Sequence, residues 1–316
     1  MSHNKTLTFA TLNLFNFIEP PSAYYDFENI YDQQSWQEKC DWTKDKVRQL
    51  NPDVIGMQEV FSIGATKRLF TELGYPYFVA LDTPHIESDY IYSKPVVAIA
   101  SRYPIKQAQL VTPCETIEQT YGVQPPAFSR QPIFATLSVP MLGDIAVYVC
   151  HLKSQRPTES KDENQSHRLI GSWLSSQQRG WEALMLRLFM EQQYLQAPMP
   201  TVLMGDMNQS LDFAITGLLT QSVEAESNQL KLQDSWNIYS KAKPDLVRQP
   251  THYHFAKGNV LDYILLSQEF QAESPYSLAD VINYTVLDQH LINPIYSQDK
   301  QASDHAFVAV TARLVL

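Results

Sequence analysis

The chain has 316 residues, of which 44% are hydrophobic and only 18% are charged, so it can bury a large core and general disorder is excluded. It carries 24 basic and 34 acidic residues, a net charge of −10. This balance excludes a positive field over the whole surface that could hold a polyanion, and any phosphate site must be built locally.

The first half of the chain is predicted to alternate strands with helices. Alternating apolar residues predict an opening strand from Leu7 to near Asn13. Apolar residues at spacings of four and three predict an amphipathic helix over 36–50, which Asn51 and Pro52 terminate. A second helical segment is expected at 66–73, and further strands are expected at 54–58, 77–81, 96–101, 133–139 and 145–152.

The second half is predicted to hold a long helical segment and more strands. Apolar spacing over 163–196 predicts one helix or two, with Gly171 and Gly180 leaving room for a break. Strands are expected at 201–205, 259–267 and 306–315, and polar loops at 113–132, 220–233 and 287–304. Because no repeat or long flexible linker divides the chain, the pattern favours a single domain over residues 1–316.

The apolar runs are short and the cysteines are scattered. The longest runs, 96–100 and 145–150, fall far below the roughly 18 residues of a membrane-spanning helix, so no stable membrane insertion is expected. Cys40, Cys114 and Cys150 include no C-x-x-C pair, which argues against a disulfide framework and a cysteine zinc site. Since the N-terminus lacks the apolar core of a signal peptide, a cytoplasmic location is expected.

Polar side chains stand at the ends of strongly apolar strands, where loops assemble binding sites. Carboxylate oxygens bind Mg²⁺, which keeps some of its waters and accepts phosphate oxygens. A further carboxylate can orient or deprotonate water, and imidazoles can donate to phosphoryl oxygens. The residues that fit this chemistry are Asn13, Glu59, His151, Asp206, Asn208, Asp262, Asp304 and His305.

These residues fall in seven ordered motifs. The motifs are T-L-N-L at 11–14, I-G-M-Q-E-V at 55–60, V-A-I-A-S-R-Y-P-I at 97–105, V-C-H-L-K-S at 149–154, G-D-M-N at 205–208, L-D-Y-I-L-L-S at 261–267 and S-D-H at 303–305. In them the chain resembles the endonuclease/exonuclease/phosphatase superfamily over nearly its whole length. The resemblance implies a deoxyribonuclease-like α/β fold, a four-layer sandwich of two packed β-sheets flanked by helices.

The resemblance also implies roles for the metal and the attacking water. Glu59 would ligate a divalent metal, Mg²⁺ or Mn²⁺, with Asn13 and Asp304 beside it. Asp206 would orient or deprotonate the water, and Asn208 would hold Asp206 and a phosphoryl oxygen. Each of these roles is carried over from the motif that contains the residue.

Imidazoles and basic side chains would complete the site. His305, oriented by Asp262, and His151 would bind the phosphate and stabilise developing charge. Whether His305 acts as a base or as a phosphate ligand stays open. Positive charge near the phosphate could come from Arg102, Arg130, Lys153 and Arg156, which matters in a chain that is acidic overall.

Several conspicuous features have ordinary structural interpretations. The H-Y-H sequence at 252–254 looks like a metal motif, but zinc needs a third and a fourth ligand, which favours a strand-face or loop role. Adjacent residues of a strand point to opposite faces, so Cys150 is predicted to lie in the core rather than act with His151. The tryptophan-bearing helix at 163–196 is predicted to be a packed face, and the aromatic segment at 24–31 a loop on the first helix.

The predicted function is divalent-metal-dependent hydrolysis of phosphoester bonds, of the phosphodiesterase or nuclease type, by attack of water on phosphorus. A sphingomyelinase-like or other small phosphoester phosphatase is the alternative. The substrate would be a nucleic acid, a nucleotide or a phospholipid headgroup, and no protein partner is implied. Low Lys and Arg content disfavours abasic-site repair, and inositol phosphatase relatives usually show Cys-Asp-Arg where this chain has Leu261-Asp262-Tyr263.

A non-catalytic binding module with the same fold is the alternative from a different class. A degenerate relative would be expected to lose a metal or water-orienting position. The chain keeps all eight polar residues that the motifs contain, which favours an enzyme.

Overall fold

Apolar strands form two sheets, and helices cover their outer faces. The structure, a computed structural model, describes residues 5–160, 167–221 and 229–315. The strands are β1 (Thr6–Phe17), β2 (Ala23–Tyr24), β3 (Val54–Val60), β4 (Tyr77–Val79), β5 (His85–Glu87), β6 (Ile91–Ser93), β7 (Val96–Ser101), β8 (Ile105–Leu110), β9 (Ile133–Val139), β10 (Gly143–His151), β11 (Thr201–Asp206), β12 (Gln233–Asp234), β13 (His252–His254), β14 (Lys257–Asn259), β15 (Asp262–Leu266), β16 (Ala279–Leu287) and β17 (Phe307–Leu314).

The helices differ greatly in length. They are α1 (Gln33–Leu50), α2 (Ile63–Glu72), α3 (Glu115–Tyr121), α4 (Arg168–Gln196), α5 (Ala214–Gly217), α6 (Ser235–Ser240), α7 (Gln289–Ile292) and α8 (Tyr296–Asp299), with a 3-10 turn at Gln268–Phe270. In the described parts of the chain, no helix combines the length and the apolar character needed to cross a membrane.

Each main sheet has six strands, with a parallel pair near its centre. The first sheet has the order β16-β17-β1-β3-β7-β4, and the second has the order β12-β15-β11-β10-β9-β8. Strands β1 and β3 are parallel, as are β10 and β11, and the other neighbours in these sheets are antiparallel. The carboxyl ends of each parallel pair therefore meet at one edge of their sheet.

The two sheets pack face to face over an apolar core. Phe9 and Val54 of the first sheet belong to the same buried cluster as Val149 and Met204 of the second. The sheets come so close at Gly56 that a Cβ there would lie 2.8 Å from Cγ2 of Val149. A side chain at this position would force the sheets apart.

Helices cover the outer face of each sheet. Trp36 of α1 and Leu69 of α2 pack in the cluster outside the first sheet, and Leu186 and Phe189 of α4 pack outside the second. The order of layers is therefore helix, sheet, sheet, helix. This confirms the four-layer α/β sandwich that the resemblance implied.

The main strands and helices match the sequence predictions, with corrections at the ends and in the loops. Helix α1 is capped by Asp32, whose side chain accepts a hydrogen bond from the Ser35 amide, and it ends at Asn51 in the left-handed conformation. Strand β1 runs on to Phe17 instead of ending near Asn13. The predicted strand at 259–267 is divided between β14 and β15.

The long helix is continuous where the sequence left room for a break. Gly171 and Gly180 both lie inside α4, and a Cβ at Gly171 would lie 2.6 Å from the Thr158 carbonyl oxygen, so this glycine allows close packing. Residues 163–166 of the predicted helix and 222–228 of a predicted loop lie outside the described residues. The loops predicted at 113–132 and 287–304 contain short helices instead, α3 in the first and α7 and α8 in the second.

Candidate active site

In each strand, alternate residues point towards the other sheet and form an inward row. The predicted polar residues stand at the ends of these inward rows. Asp206 continues the inward row of β11, and His151 ends the inward row of β10. His151 pairs in register with Asp206 across the parallel pair, and Asp206 pairs with Asp262 of β15 on its other side. Asn13 ends the inward row of β1 in the opposite sheet. Strand register thus brings together residues that are far apart in sequence.

Asp206 is at the centre of this cluster. Its Oδ2 accepts a hydrogen bond of 3.1 Å from Nδ2 of Asn13, and lies 3.4 Å from Nε2 of His151 and 3.8 Å from Nε2 of His305. Its Oδ1 accepts a hydrogen bond of 2.7 Å from the Asn208 amide. Asp206 is only 1% exposed, and burial raises the pKa of its carboxyl well above the usual range.

His305 and Asp262 form a buried pair. Nδ1 of His305 lies 2.8 Å from Oδ2 of Asp262. Burial alone would lower the pKa of His305, but the carboxylates of Asp262 and Asp206 raise it above its ordinary value. The backbone is fixed by Ser303, whose Oγ accepts from the His305 amide and donates to the carbonyl of Asn13. The imidazole is therefore held in one orientation, with its Nε2 on the side of Asp206.

The G-D-M-N motif has a steric explanation. A Cβ at Gly205 would lie 2.1 Å from the carbonyl oxygen of Cys150 on the neighbouring strand, so only glycine allows β10 and β11 to pair here. Asn208 adopts a left-handed conformation with φ 54°, and its side-chain amide donates to the Leu152 carbonyl at 2.9 Å. This turn directs the Asn208 backbone N–H at Asp206. The backbone of Asn208 is thus hydrogen-bonded to the carboxylate of Asp206.

Glu59 reaches the site through a local distortion of β3. In a regular strand Glu59 would point away from the face occupied by Gln58. Its φ is 60°, in the left-handed region, and the register with β7 shifts between Met57 and Val60. The Asn16 amide donates to Oε2 of Glu59 at 2.9 Å, and Asn16 is itself left-handed. Phe15, Asn16 and Glu59 all have this costly conformation, which is found most often at functional sites.

Asp304 has the features of a residue that needs a cation. Its Oδ1 is buried and has no hydrogen-bond partner among the described residues. Burial and the nearby Glu59 raise its pKa to about 6, although the positively charged His305 opposes this shift. A buried acceptor of this kind is costly unless a donor or a cation satisfies it. The donor set of Asp304, Glu59 and Asn13, all oxygen atoms, fits a hard divalent ion.

Ligand atoms also converge closer to the centre of the cluster. Asp206, Asp262 and His305 offer atoms within 4.8 Å of one another and form a candidate metal site. A second such group consists of His252, Asp304 and His305. The Nδ1 of His305 is already hydrogen-bonded to Asp262, which leaves its Nε2 free to act as a donor or a ligand.

His252 joins the cluster, although the sequence favoured a strand-face or loop role for it. It begins the short hairpin of β13 and β14, forms a β-bridge with His305, and its ring centre lies 4.9 Å from that of His305. Burial lowers its pKa to about 4. The pairing joins positions more than fifty residues apart, so no local pattern could have revealed it.

Lys39 is a further residue that was not among the predicted site residues. It lies on α1, is 2% exposed, and its Nζ lies 5.4 Å from the ring centre of Phe15 and 5.6 Å from that of Tyr31. Burial lowers its pKa to about 8, against the attraction of the Glu59 and Asp304 carboxylates. Lys39 therefore provides a buried positive charge close to the carboxylates of Glu59 and Asp304. A lysine on the apolar stripe of a predicted helix is the signal that could have found it.

The predicted basic residues divide into two groups. Arg130 donates to the Leu152 carbonyl, next to His151, and its charge lowers the pKa of that imidazole further than burial already does. Lys153 follows His151 by two residues and lies on the same side of the molecule as Arg130, because both line one cavity. Both residues therefore lie next to His151, beside Leu152.

Arg102 was predicted to lie near the phosphate, and this prediction is wrong. Strand β7 is antiparallel to β3 and pairs Ser101 with Val54, at the end of β3 opposite to Glu59. Five residues of strand separate the two ends, about 17 Å. Arg102 instead bonds to Asn51 at 2.5 Å. A motif at a strand end does not tell which end of the sheet it occupies.

The other structural interpretations were partly right. Cys150 is fully buried in the cluster beneath α4, as predicted. The prediction that the tryptophan-bearing helix is a packed face fails for its first turns, where Leu169 is 74% exposed and Trp173 is 61% exposed. The segment at 24–31 begins with the last residue of β2, and Tyr25 packs edge-on against Phe61, two residues beyond Glu59.

Comparison with known proteins identifies a family and a shared fold. A profile of the Endonuclease/Exonuclease/phosphatase family matches residues 42–305. No curated protein matches the chain. Among solved structures, the human Nocturnin catalytic domain with bound sulfate is 16% identical with a TM-score of 0.59, over 98% of this chain and 95% of that one.

Two further structures are similar to the same extent. TDP2 of D. rerio, humanized by 14 mutations, is 16% identical with a TM-score of 0.59, over 98% of this chain and 99% of that one. An endonuclease/exonuclease/phosphatase from Bacteroides vulgatus is 15% identical with a TM-score of 0.59, over 98% of this chain and 100% of that one. At these identities the likeness shows a shared fold.

Proposed function

The chain belongs to the Endonuclease/Exonuclease/phosphatase family, and from this membership we propose that it hydrolyses phosphoester bonds with the help of a divalent cation, Mg²⁺ or Mn²⁺. Members of the family are generally metal-dependent phosphoesterases. The observation that carries the proposal is the position of Asp206, a buried carboxylate with Asn13, His151 and His305 around one oxygen. This arrangement suits a group that holds a water molecule against a phosphate.

The acidic and amide side chains would have two roles, binding of the cation and activation of water. Glu59, Asp304 and Asn13 would hold the cation, which would polarise a phosphoryl oxygen. The amide oxygen of Asn13 accepts from the Phe15 amide at 3.0 Å but keeps a second lone pair, so it can serve as a ligand. Asp206 would orient the attacking water and accept its proton, a task that its raised pKa favours at neutral pH.

The two imidazoles are suited to different roles. The raised pKa of His305 favours the protonated form, which supports a role as a donor to a phosphoryl oxygen rather than as the base. Burial lowers the pKa of His151, which favours a neutral ring that donates from one nitrogen only. Asp262 would keep His305 charged and oriented. Asn208 would hold Asp206 in place through its backbone amide.

The substrate class is a phosphodiester, found in a nucleic acid, a nucleotide or a phospholipid headgroup. We also propose that residues 1–316 act as one domain, which the shared core of the two sheets supports. The cytoplasmic location stays a prediction from the sequence.

The test is a panel of phosphoesters assayed with Mg²⁺, with Mn²⁺ and with a chelator. The panel contains bis-p-nitrophenyl phosphate, DNA, RNA, sphingomyelin, inositol phosphates and nucleotides. Asp206→Asn keeps the size of the side chain and should lower metal-dependent kcat by about 10³-fold or more. The matched control is Asp212→Asn, on an exposed position a few residues along the same loop, which should change nothing.

Two results would contradict the proposal. One is undiminished metal-dependent turnover in the Asp206→Asn protein. The other is wild-type protein that hydrolyses no member of the panel with either ion. The thermal unfolding midpoint of each variant shows whether a loss of activity comes from a loss of the fold.

A further inference from the structure

A cavity of about 980 Å³ opens beside the group formed by Asn13, Glu59, His151, Asp206, Asp262, Asp304 and His305, which we call the catalytic cluster. It lies between one face of α4 and the loop that leads into β9. Leu174 and Trp181 are seven residues apart on the helix, which places both on the face that lines the cavity. Pro125 and Arg130 contribute from the loop, and Lys153 from the segment after β10. We call this cavity the α4 groove.

The charge of the α4 groove differs from that of the whole chain. Three basic residues, Lys94, Arg130 and Lys153, line it, and the described residues of the lining include no Asp or Glu. The chain as a whole has a net charge of −10. A local excess of basic side chains in an acidic protein favours an anionic ligand.

The basic end of the groove is held by one buried carboxylate. Glu182 of α4 is fully buried, and its two oxygens accept from the Ser129 amide at 2.7 Å and from the Lys153 amide at 2.6 Å. The segments that carry Arg130 and Lys153 are thereby tied to the same helix that carries Trp181. These two hydrogen bonds therefore fix the positions of Arg130 and Lys153 relative to α4 and Trp181.

The same end is continuous with the catalytic cluster. Arg130 donates to the carbonyl of Leu152, the residue that follows His151, and Tyr25 packs edge-on against Phe61, two residues beyond Glu59. Tyr25 also lines the groove. A phosphate at the cluster would therefore have one of its two substituents directed into the α4 groove.

Apart from its three basic residues, the described lining of the groove is neutral and largely apolar. Leu174 is 44% exposed and Trp181 is half-buried, and neither is needed to fill the core. Pro125 and Phe128 face them across the groove. A long nucleic acid would require basic residues along the whole path, whereas Arg130 and Lys153 both lie beside Leu152, at one place in the groove.

We propose that the α4 groove binds the substituent of the phosphodiester that remains on the phosphate after hydrolysis, and that this substituent is a bulky, neutral, apolar or aromatic group. The inference rests on the proposed function, because it assigns the phosphate to the catalytic cluster. Arg130 and Lys153 would contact the phosphate, and Trp181 and Leu174 would pack against its substituent. Affinity for the apolar group then sets which phosphodiesters are hydrolysed.

The test uses three p-nitrophenyl phosphodiesters whose second substituent is methyl, butyl or phenyl. In each, water adds to phosphorus, p-nitrophenolate leaves, and the methyl, butyl or phenyl phosphate remains. We expect kcat/KM of the wild-type protein to rise about tenfold or more from methyl to butyl or phenyl, through a lower KM. Trp181→Ala should remove this rise, because kcat/KM should fall far more for the butyl and phenyl esters than for the methyl ester.

The matched control is Trp173→Ala. Trp173 is on the same helix but is 61% exposed and does not line the groove, so its removal should keep the preference for the larger esters. Leu174→Gln changes an exposed lining residue without a threat to folding, and it should also reduce the preference.

Equal kcat/KM for the methyl, butyl and phenyl esters in the wild-type protein would overturn the inference. So would an equal loss for all three esters in Trp181→Ala. If a single-stranded oligonucleotide competes with the butyl ester more strongly than phenyl phosphate does, the occupant is a nucleic acid and the inference is wrong.

The groove can be tested even if the proposed function fails. Failure of the function would appear as no metal-dependent hydrolysis of any ester by the wild-type protein. In that case, calorimetric titration with phenyl phosphate and methyl phosphate should still show tighter binding of phenyl phosphate, and Trp181→Ala should abolish that difference. Equal binding of the two phosphates would reject the groove assignment by itself.

Discussion

The catalytic cluster and the α4 groove lie side by side but are built in opposite ways. Asp206 is 1% exposed and His305 is 6% exposed, and the cluster is held by hydrogen bonds among its own side chains. The groove is open, with Leu174 44% exposed, and its lining is neutral or basic. Preorganised charge suits a chemical step, and an open, mixed surface suits the selection of a substrate.

The catalytic cluster and the α4 groove are also held in place by different parts of the fold. Strand register positions the cluster, because His151, Asp206 and Asp262 are neighbours on three adjacent strands. The groove depends on one helix face and on loops tied to Glu182. Changes in the cluster should therefore affect chemistry on every substrate, whereas changes in the groove should affect some substrates more than others.

The largest effect is expected when the buried pair of the cluster is broken. Asp262→Asn removes one of the carboxylate charges that raise the pKa of His305, so that pKa should fall towards the lower value that burial favours. We expect kcat on bis-p-nitrophenyl phosphate to fall by about 10²- to 10⁴-fold, and equally for other esters. Steady-state kinetics measures the loss, and NMR titration of His305 measures its pKa.

Asp280→Asn is the control for this change. Asp280 pairs with Arg313 at 3.0 Å near the surface, far from any predicted site residue in sequence. Its replacement should leave kcat unchanged. A fall in Asp262→Asn without any change in the titration of His305 would contradict the role given to the pair.

A smaller effect is expected at the boundary between the two regions. Arg130→Gln removes one charged donor to the phosphate, and such a bond contributes about 1.5–3 kcal/mol, so KM should rise about tenfold or more for all three p-nitrophenyl diesters. The preference among the esters should persist, because it depends on Trp181.

Arg102→Gln is the control, since Arg102 lies at the other end of its sheet. It should alter stability at most slightly and leave KM as it is. A similar rise of KM in both variants would mean that the charge of the whole molecule, and not a contact, attracts the substrate.

The smallest effect, on the free energy of unfolding, is expected from replacement of Lys39, near Glu59 and Asp304. Burial lowers the pKa of Lys39 to about 8, so between pH 8 and 10.5 the unfolded chain holds this proton more tightly than the folded one. The free energy of unfolding of the wild-type protein should therefore rise with pH over that window. Lys39→Met should lack this rise, which denaturant unfolding at several pH values can measure.

The same variant should bind the divalent ion more tightly at pH 7. Removal of a nearby positive charge favours a cation by about 1 kcal/mol, or roughly fivefold in affinity. Lys46→Met is the control, since Lys46 lies on the same helix over the ring of Trp42. Equal effects of the two substitutions on Mn²⁺ affinity, measured by calorimetry, would contradict the special position of Lys39.

Much of the fold and the cluster could be predicted because strands and site residues share a pattern. Apolar runs such as those of β7 and β9 match their predicted bounds, and the polar site residues stand at the ends of such runs, Asp206 at the end of β11 and Asp262 at the start of β15. Alternating apolar residues in the sequence predict which side chains of a strand point inward, so the polar residue that ends such a series can be recognised as well. This is why Asn13, Asp206 and Asp262 could be named without a structure.

The rest depends on long-range geometry that the sequence does not display. Arg102 was misplaced because strand direction within a sheet is not encoded locally. His252 was missed because its neighbour His305 reaches it from a distant segment. The α4 groove has no motif, and Trp181 is indistinguishable in sequence from a core residue of the same helix.

The most direct test of the account is the position of Mn²⁺, located by anomalous diffraction in crystals of the wild-type protein. The account predicts one or more ions at the cluster, with Glu59 and Asp304 among the ligands, and loss of that density in Glu59→Gln. An ion bound only elsewhere in the molecule, in protein that hydrolyses phosphodiesters, would contradict it.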